Sequence, residues 1–159
     1  HSGPTRRSSD LSVNWPTGLG GKGNEGVAGQ VKQLPGAIGY VELAYAEQNK
    51  LPFADLKNAA GDYVTASPEA VSKAMATATI PDDFRFSMVN APGAGSYPIA
   101  GASWIMIYQK QKNAANGKKL VDFLRWAVTK GQQLSPKLSY APLPQNVQDR
   151  ELKLLDTVM

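Results

Sequence analysis

A glycine-rich stretch near the amino terminus carries the residues best suited to binding chemistry. Residues 15–31 read WPTGLGGKGNEGVAGQV and place six glycines around one lysine. A glycine-rich turn that opens a helix can hold an anion, because backbone amides and the helix dipole both point at the turn. The candidate anion-binding residues are those of the turn: Gly20, Gly21, Lys22, Gly23 and Asn24.

The same stretch has a structural interpretation, in which the glycines only permit a sharp turn between a strand and a helix. It does not have the spacing of a nucleotide-binding P-loop. That motif needs G-x-x-x-x-G-K followed by Ser or Thr, whereas Lys22 is followed by Gly23. The structural interpretation is therefore favoured, and direct contact with an anion stays as the alternative.

The other reactive side chains form no catalytic set. The chain has no cysteine and one histidine, His1, so neither a Ser/His/Asp arrangement nor a thiolate metal site can be assembled. Asp82 and Asp83 are interpreted as solvated carboxylates rather than as a catalytic or metal pair. Lys118 and Lys119 are interpreted as a solvent-exposed helix face or a weak docking patch. We predict no catalytic residue, no metal ion and no cofactor.

Composition limits the classes of partner. The 159 residues suffice for one domain with a core, and the net charge of +4 is spread along the chain. Scattered charge does not indicate a nucleic-acid partner and suits small anions. No apolar run is long enough to span a membrane, and the opening HSGPTRRSSDLS lacks the apolar core of a signal peptide. We interpret residues 1–11 as a disordered lead-in or a cloning remnant.

Strand and helix patterns alternate along the rest of the chain. Short apolar runs predict strands at residues 12–15, 37–41 and 102–111, of which the last has the strongest pattern. Residues 53–66 predict two short strands around a turn. This alternation indicates the α/β class with a mostly parallel sheet.

Capping residues and apolar spacing predict the helices between these strands. Asn24 is the expected N-cap of the first helix, and a short second helix follows residue 41. Ser67 is the expected N-cap of the third helix, with Pro68 at its first position. The strongest helical stripe lies on residues 118–131, where Gly131 is the expected stop, and a last helix begins near Pro144.

The three tryptophans lie in these apolar patterns. Trp15, Trp104 and Trp126 are the residues that would stack on a sugar or base if the chain bound one. Large aromatic residues in apolar elements are more often packed in a core. We therefore predict that all three tryptophans are core residues.

Long stretches of the chain resemble the extracytoplasmic phosphate-binding proteins of ABC phosphate transporters. The similarity begins in the glycine-rich stretch and continues through AIGYVELAYAEQNKL, then in the same order through YPIAGASWIMIYQKQ, FLRWAVTKGQQL and LSYAPLPQNV. The resemblance covers roughly residues 12–155. It implies a type II periplasmic-binding-protein fold, in which two α/β lobes joined by a hinge close over inorganic phosphate.

The resemblance assigns this chain to the C-terminal half of the family's fold. Residues 12–96 then form part of the second lobe, and residues 97–159 return into the first lobe. The family holds phosphate through a first-lobe aspartate and an R-x-D-G-S-G-T-T loop, and the arginine and aspartates have no counterpart here. The SGPT of residues 2–5 is similar to the end of that loop, so Ser2, Gly3 and Thr5 are further candidate phosphate ligands.

The function that the resemblance implies is non-enzymatic. The complete protein would bind phosphate outside the cytoplasm, in the periplasm or its equivalent, and present it to the permease of the transporter. The alternative is a phosphate-ester hydrolase or phosphatase-associated relative of the same fold, which the lack of a nucleophile and base pair disfavours. We expect this chain alone to bind phosphate weakly or not at all, and its exposed lobe surfaces to favour a homo-oligomer.

Overall fold

The computed structural model describes residues 16–158, which divide into two compact units. Unit 1 ends at Val41 and unit 2 begins at Glu42. The expected lead-in, the strand predicted at residues 12–15 and Trp15 lie outside the described residues. The assignment of residues 12–96 and 97–159 to two lobes of a larger protein stays a prediction.

The described part of unit 1, residues 16–41, contains one helix, α1 (Gly23–Gln33), which follows the glycine-rich turn. Its N-cap is Lys22, so the prediction of Asn24 as the N-cap is wrong by two residues. The first residue of the helix, Gly23, adopts φ +66°, a left-handed conformation that glycine tolerates at little cost. Extended Leu34 caps the other end, as expected for a residue that precedes proline.

The strand predicted at residues 37–41 is not formed. These residues follow α1 without regular secondary structure, and Ile38 is 98% exposed. The prediction is wrong because an apolar run becomes a strand only when a neighbouring strand satisfies its backbone groups. No such neighbour is present in the part of unit 1 that the structure describes.

Unit 2 contains most of the regular structure. Its elements are α2 (Leu43–Gln48), β1 (Leu56–Lys57), β2 (Tyr63–Val64), α3 (Pro68–Thr77), α4 (Ala114–Val128), a 3-10 helix (Lys130–Leu138) and α5 (Gln145–Leu155). Strands β1 and β2 pair antiparallel, with Leu56 opposite Val64, which confirms the two short strands predicted at residues 53–66. They form the only sheet among residues 16–158, so the expected parallel sheet is not formed there.

Local capping signals locate the helices well. The Ser67 hydroxyl accepts a hydrogen bond from the Ala70 N–H at 3.1 Å, and Pro68 is the first residue of α3, both as predicted. Helix α5 begins after Pro144, also as predicted. Helix α4 begins four residues before the predicted start, because Asn113 caps it by accepting from the Asn116 N–H at 3.0 Å. No helix among residues 16–158 combines the length and apolar character needed to cross a bilayer.

The apolar stripe of α4 is confirmed, with Leu124 buried and the other members partly buried. The predicted stop at Gly131 is wrong, since the chain turns at Thr129 and continues into the 3-10 helix. On α5, Val147 and Leu155 are buried, but Leu154 is 49% exposed.

The main core of unit 2 lies between α3 and the loop that follows it. Its buried members come from both segments: Ala74, Met75, Met88, Ala91 and Ala100. Small side chains on α3 let the loop approach closely, and the Tyr97 N–H donates to the Ala70 carbonyl at 3.1 Å. The loop between α3 and residue 102 is rich in proline and glycine, yet it packs closely against α3.

The strongest predicted strand, residues 102–111, is neither strand nor helix. Its side chains are largely exposed, and Met106 has 94% of its surface exposed. The physical reason is the same as for residues 37–41, since no described strand lies beside it.

The prediction that the tryptophans are core residues is wrong for both tryptophans that the structure describes. Trp104 is 53% exposed and Trp126 is 45% exposed. Trp104 still has a fixed position, because its indole N–H donates to the Phe84 carbonyl at 2.9 Å and its ring meets the Phe86 ring edge-on at 5.6 Å.

Candidate functional site

The glycine-rich turn at the start of α1 brings together the candidate residues 20–24. The turn folds back over the helix, and the Gly20 carbonyl accepts a hydrogen bond from the Gln30 side-chain amide at 2.9 Å. A Cβ atom at Gly21 would lie 2.6 Å from the Val27 nitrogen, far inside van der Waals contact. Gly21 is therefore required by the close approach of the turn to the helix backbone.

The charge beside this turn does not favour an anion. Glu25 lies in the first turn of α1, and its Oε2 atom is 3.1 Å from the position that a Cβ of Gly23 would occupy. A carboxylate there interacts favourably with the positive end of the helix dipole. It also repels a second anion at the same amides.

These contacts support the structural interpretation of the turn. The close packing of the turn on α1 explains why position 21 is a glycine, and the left-handed backbone explains why position 23 is one. Neither explanation requires a bound ligand. Contact between phosphate and residues 20–24 stays a prediction. The other candidate ligands, Ser2, Gly3 and Thr5, lie outside the described residues.

The adjacent carboxylates of unit 2 pair with different arginines. Asp82 lies 3.3 Å from Arg150, and Asp83 lies 3.8 Å from Arg85. Both carboxylates are exposed. Among residues 16–158 there is no group of three or more side chains of His, Cys, Asp or Glu placed to hold a metal ion.

The lysines at the start of α4 also have ordinary surroundings. Lys118 lies 2.9 Å from Asp122, one helical turn away, and Lys118 and Lys119 are both exposed. An exposed pair of this kind contributes only about 0.3–0.5 kcal/mol to stability. This is the solvent-exposed helix face that the sequence predicted.

Arg150 has a structural role that its sequence context did not indicate. Its guanidinium donates to the carbonyls of Ile80 at 2.8 Å and Pro81 at 2.6 Å, and lies 4.8 Å from the centre of the Phe84 ring. Arg150 therefore connects α5 to the loop at residues 80–84 through these hydrogen bonds and the ring contact. The sequence gives no signal for this contact, because the partners are about 70 residues apart.

Asn58 is a second residue that sequence reasoning interpreted only as part of a turn. Its side chain is buried and donates to the carbonyls of Gly93 at 3.3 Å and Ser96 at 3.2 Å. Its Oδ1 accepts from the Asp62 N–H at 2.9 Å, which closes the turn between β1 and β2. Asn58 thereby holds the loop at residues 93–96 against the hairpin.

Two tyrosines of unit 2 have raised pKa values. Burial and the nearby Asp55 carboxylate raise the pKa of Tyr97. A hydrogen bond to the Glu42 carboxylate, at 2.8 Å, raises the pKa of Tyr140. Both phenols therefore stay protonated at neutral pH, since their ordinary pKa is already near 10.

Unit 2 contains an apolar cavity of about 810 Å³. It is lined by residues 102–107, α4, α5 and the segment before them, with large side chains including Phe84, Phe86, Trp104, Leu124, Leu143 and Leu155. The charged residues in its lining are both acids, Asp83 and Glu151. This cavity is therefore unsuited to phosphate, because its two charged residues are acids, which repel an anion, and its walls are mostly apolar.

Comparison with known proteins identifies what the chain is similar to. The family profile for the PBP superfamily domain matches residues 6–130. Phosphate-binding protein PstS of Xylella fastidiosa (strain Temecula1) is 46% identical over 138 residues, which are 86% of this chain and 38% of that relative.

Two further relatives carry the same name. Phosphate-binding protein PstS of Pasteurella multocida is 41% identical over 138 residues, 86% of this chain and 40% of that protein. The protein of that name from Methanocaldococcus jannaschii is 36% identical over 157 residues, with 86% of this chain and 40% of that protein covered. The chain thus spans about two fifths of the length of these relatives, and the resemblance seen in the sequence is confirmed.

Proposed function

The chain belongs to the PBP superfamily, and on this premise we propose that it is part of the phosphate-binding component of an ABC-type phosphate uptake system. One observation carries the proposal, namely 46% identity to a protein named for phosphate binding across 86% of this chain. The proposed complete protein has two α/β lobes of the type II arrangement and works outside the cytoplasm. Its partners are inorganic phosphate and the permease of the transporter.

The proposed role is binding without catalysis. Among residues 16–158, the raised pKa values of Tyr97 and Tyr140 keep both phenols protonated at neutral pH, so neither of them acts as a base. The three relatives described above are all named as binding proteins. The hydrolase alternative receives no support from the comparisons.

We further propose that this chain by itself lacks tight phosphate binding. A buried phosphate is held by many charge-assisted hydrogen bonds, each contributing about 1.5–3 kcal/mol. Loss of four such bonds at about 1.5 kcal/mol each weakens binding by roughly four orders of magnitude. The carboxylate of Glu25 beside the turn at residues 20–24 works against a substitute site there.

A chimaera tests the proposed function. The matching segment of the Xylella fastidiosa relative is replaced by the 138 residues of this chain that align with it, and phosphate is titrated into the purified chimaera by calorimetry, with sulfate as the control anion. We expect phosphate to bind with micromolar or tighter affinity. A chimaera that has the circular dichroism and cooperative melting of the relative but does not bind phosphate would contradict the proposal.

The same titration with this chain alone tests the second proposal. We expect no phosphate binding tighter than about 1 mM, which corresponds to roughly 4 kcal/mol. A micromolar site would show that a phosphate cradle exists within this chain. Lys22→Ala would then locate it, since it removes the one basic residue of the candidate turn.

A further inference from the structure

We draw no further inference here: the strongest candidate, the apolar cavity of unit 2 with its exposed wall at residues 102–107, carries none, because nothing in the described residues 16–158 shows what covers that wall.

Discussion

Asn58 shows how one buried polar side chain organises a segment far away in sequence. Its amide satisfies two carbonyls of the loop at residues 93–96, and its Oδ1 accepts from the backbone of its own turn. We predict that Asn58→Leu lowers the free energy of unfolding by about 3 kcal/mol, because each buried group left without a partner costs about 1–3 kcal/mol. Urea unfolding measures the change.

Asn116→Leu is the matched control for this prediction. Asn116 is exposed on α4, and exposed substitutions away from special contacts change stability by only about 0.5 kcal/mol. Equal losses in the two variants would mean that the hydrogen bonds of Asn58 do not hold the loop.

Glu151 links stability to pH through its position in the wall of the apolar cavity. Burial raises the pKa of its carboxyl, while the neighbouring Arg150 acts in the opposite direction. The folded state therefore holds this proton more tightly than the unfolded state. The resulting stabilisation is fully present below the carboxyl's unfolded pKa and is lost as the pH rises through the folded pKa.

We predict that Glu151→Gln raises the melting temperature at pH 7 by about 2 °C. The difference should disappear below about pH 4, where the glutamate is protonated in both states. Thermal melts across this pH range measure it. Glu69→Gln is the control, since that exposed glutamate lies at the favourable end of α3 and its loss should not stabilise the protein. A lower melting temperature for Glu151→Gln at pH 7 would contradict the prediction.

At the scale of elements, the start of α1 depends on one glycine that permits close packing. We predict that Gly21→Ala destabilises α1 by about 1–3 kcal/mol, because the added methyl group overlaps the Val27 nitrogen. Amide hydrogen exchange of residues in α1 reports the change directly. Faster exchange after Gly21→Ala is the expected result.

Gly20→Ala provides the comparison within the same turn. A Cβ at Gly20 meets nothing within 4 Å, so this substitution should leave exchange unchanged or slow it slightly. If amide exchange is also faster in Gly20→Ala, then the glycines are needed for the flexibility of the turn and not for its packing on α1.

Elements with local signals were predicted more accurately than those that need a distant partner. Ser67 and Pro68 locate the start of α3 to the residue, because the hydroxyl and the amide that it caps are three residues apart. The strands predicted at residues 37–41 and 102–111 are not formed. An apolar run expresses a tendency to form a strand, but the hydrogen bonds that make it a strand come from another segment.

At the scale of the whole molecule, the chain spans about two fifths of the length of the relatives described above. It exposes apolar side chains that a core would normally bury, including Trp104, Ile105 and Met106. Each apolar side chain left in water forgoes roughly 1.5–3 kcal/mol of stabilisation. This cost is the physical basis of the homo-oligomer expected from the sequence, which stays a prediction.

Sequence alone determined the family, the starts of α3 and α5, and the hairpin at residues 53–66. These features depend on residue identity or on contacts within a few positions. Only the tertiary structure decided that Trp104 and Trp126 are exposed, that residues 102–111 lack a strand partner, and that Arg150 and Asn58 fasten distant loops. Those outcomes depend on contacts between residues 35 to 70 positions apart, and local spacing carries no information about which distant groups meet.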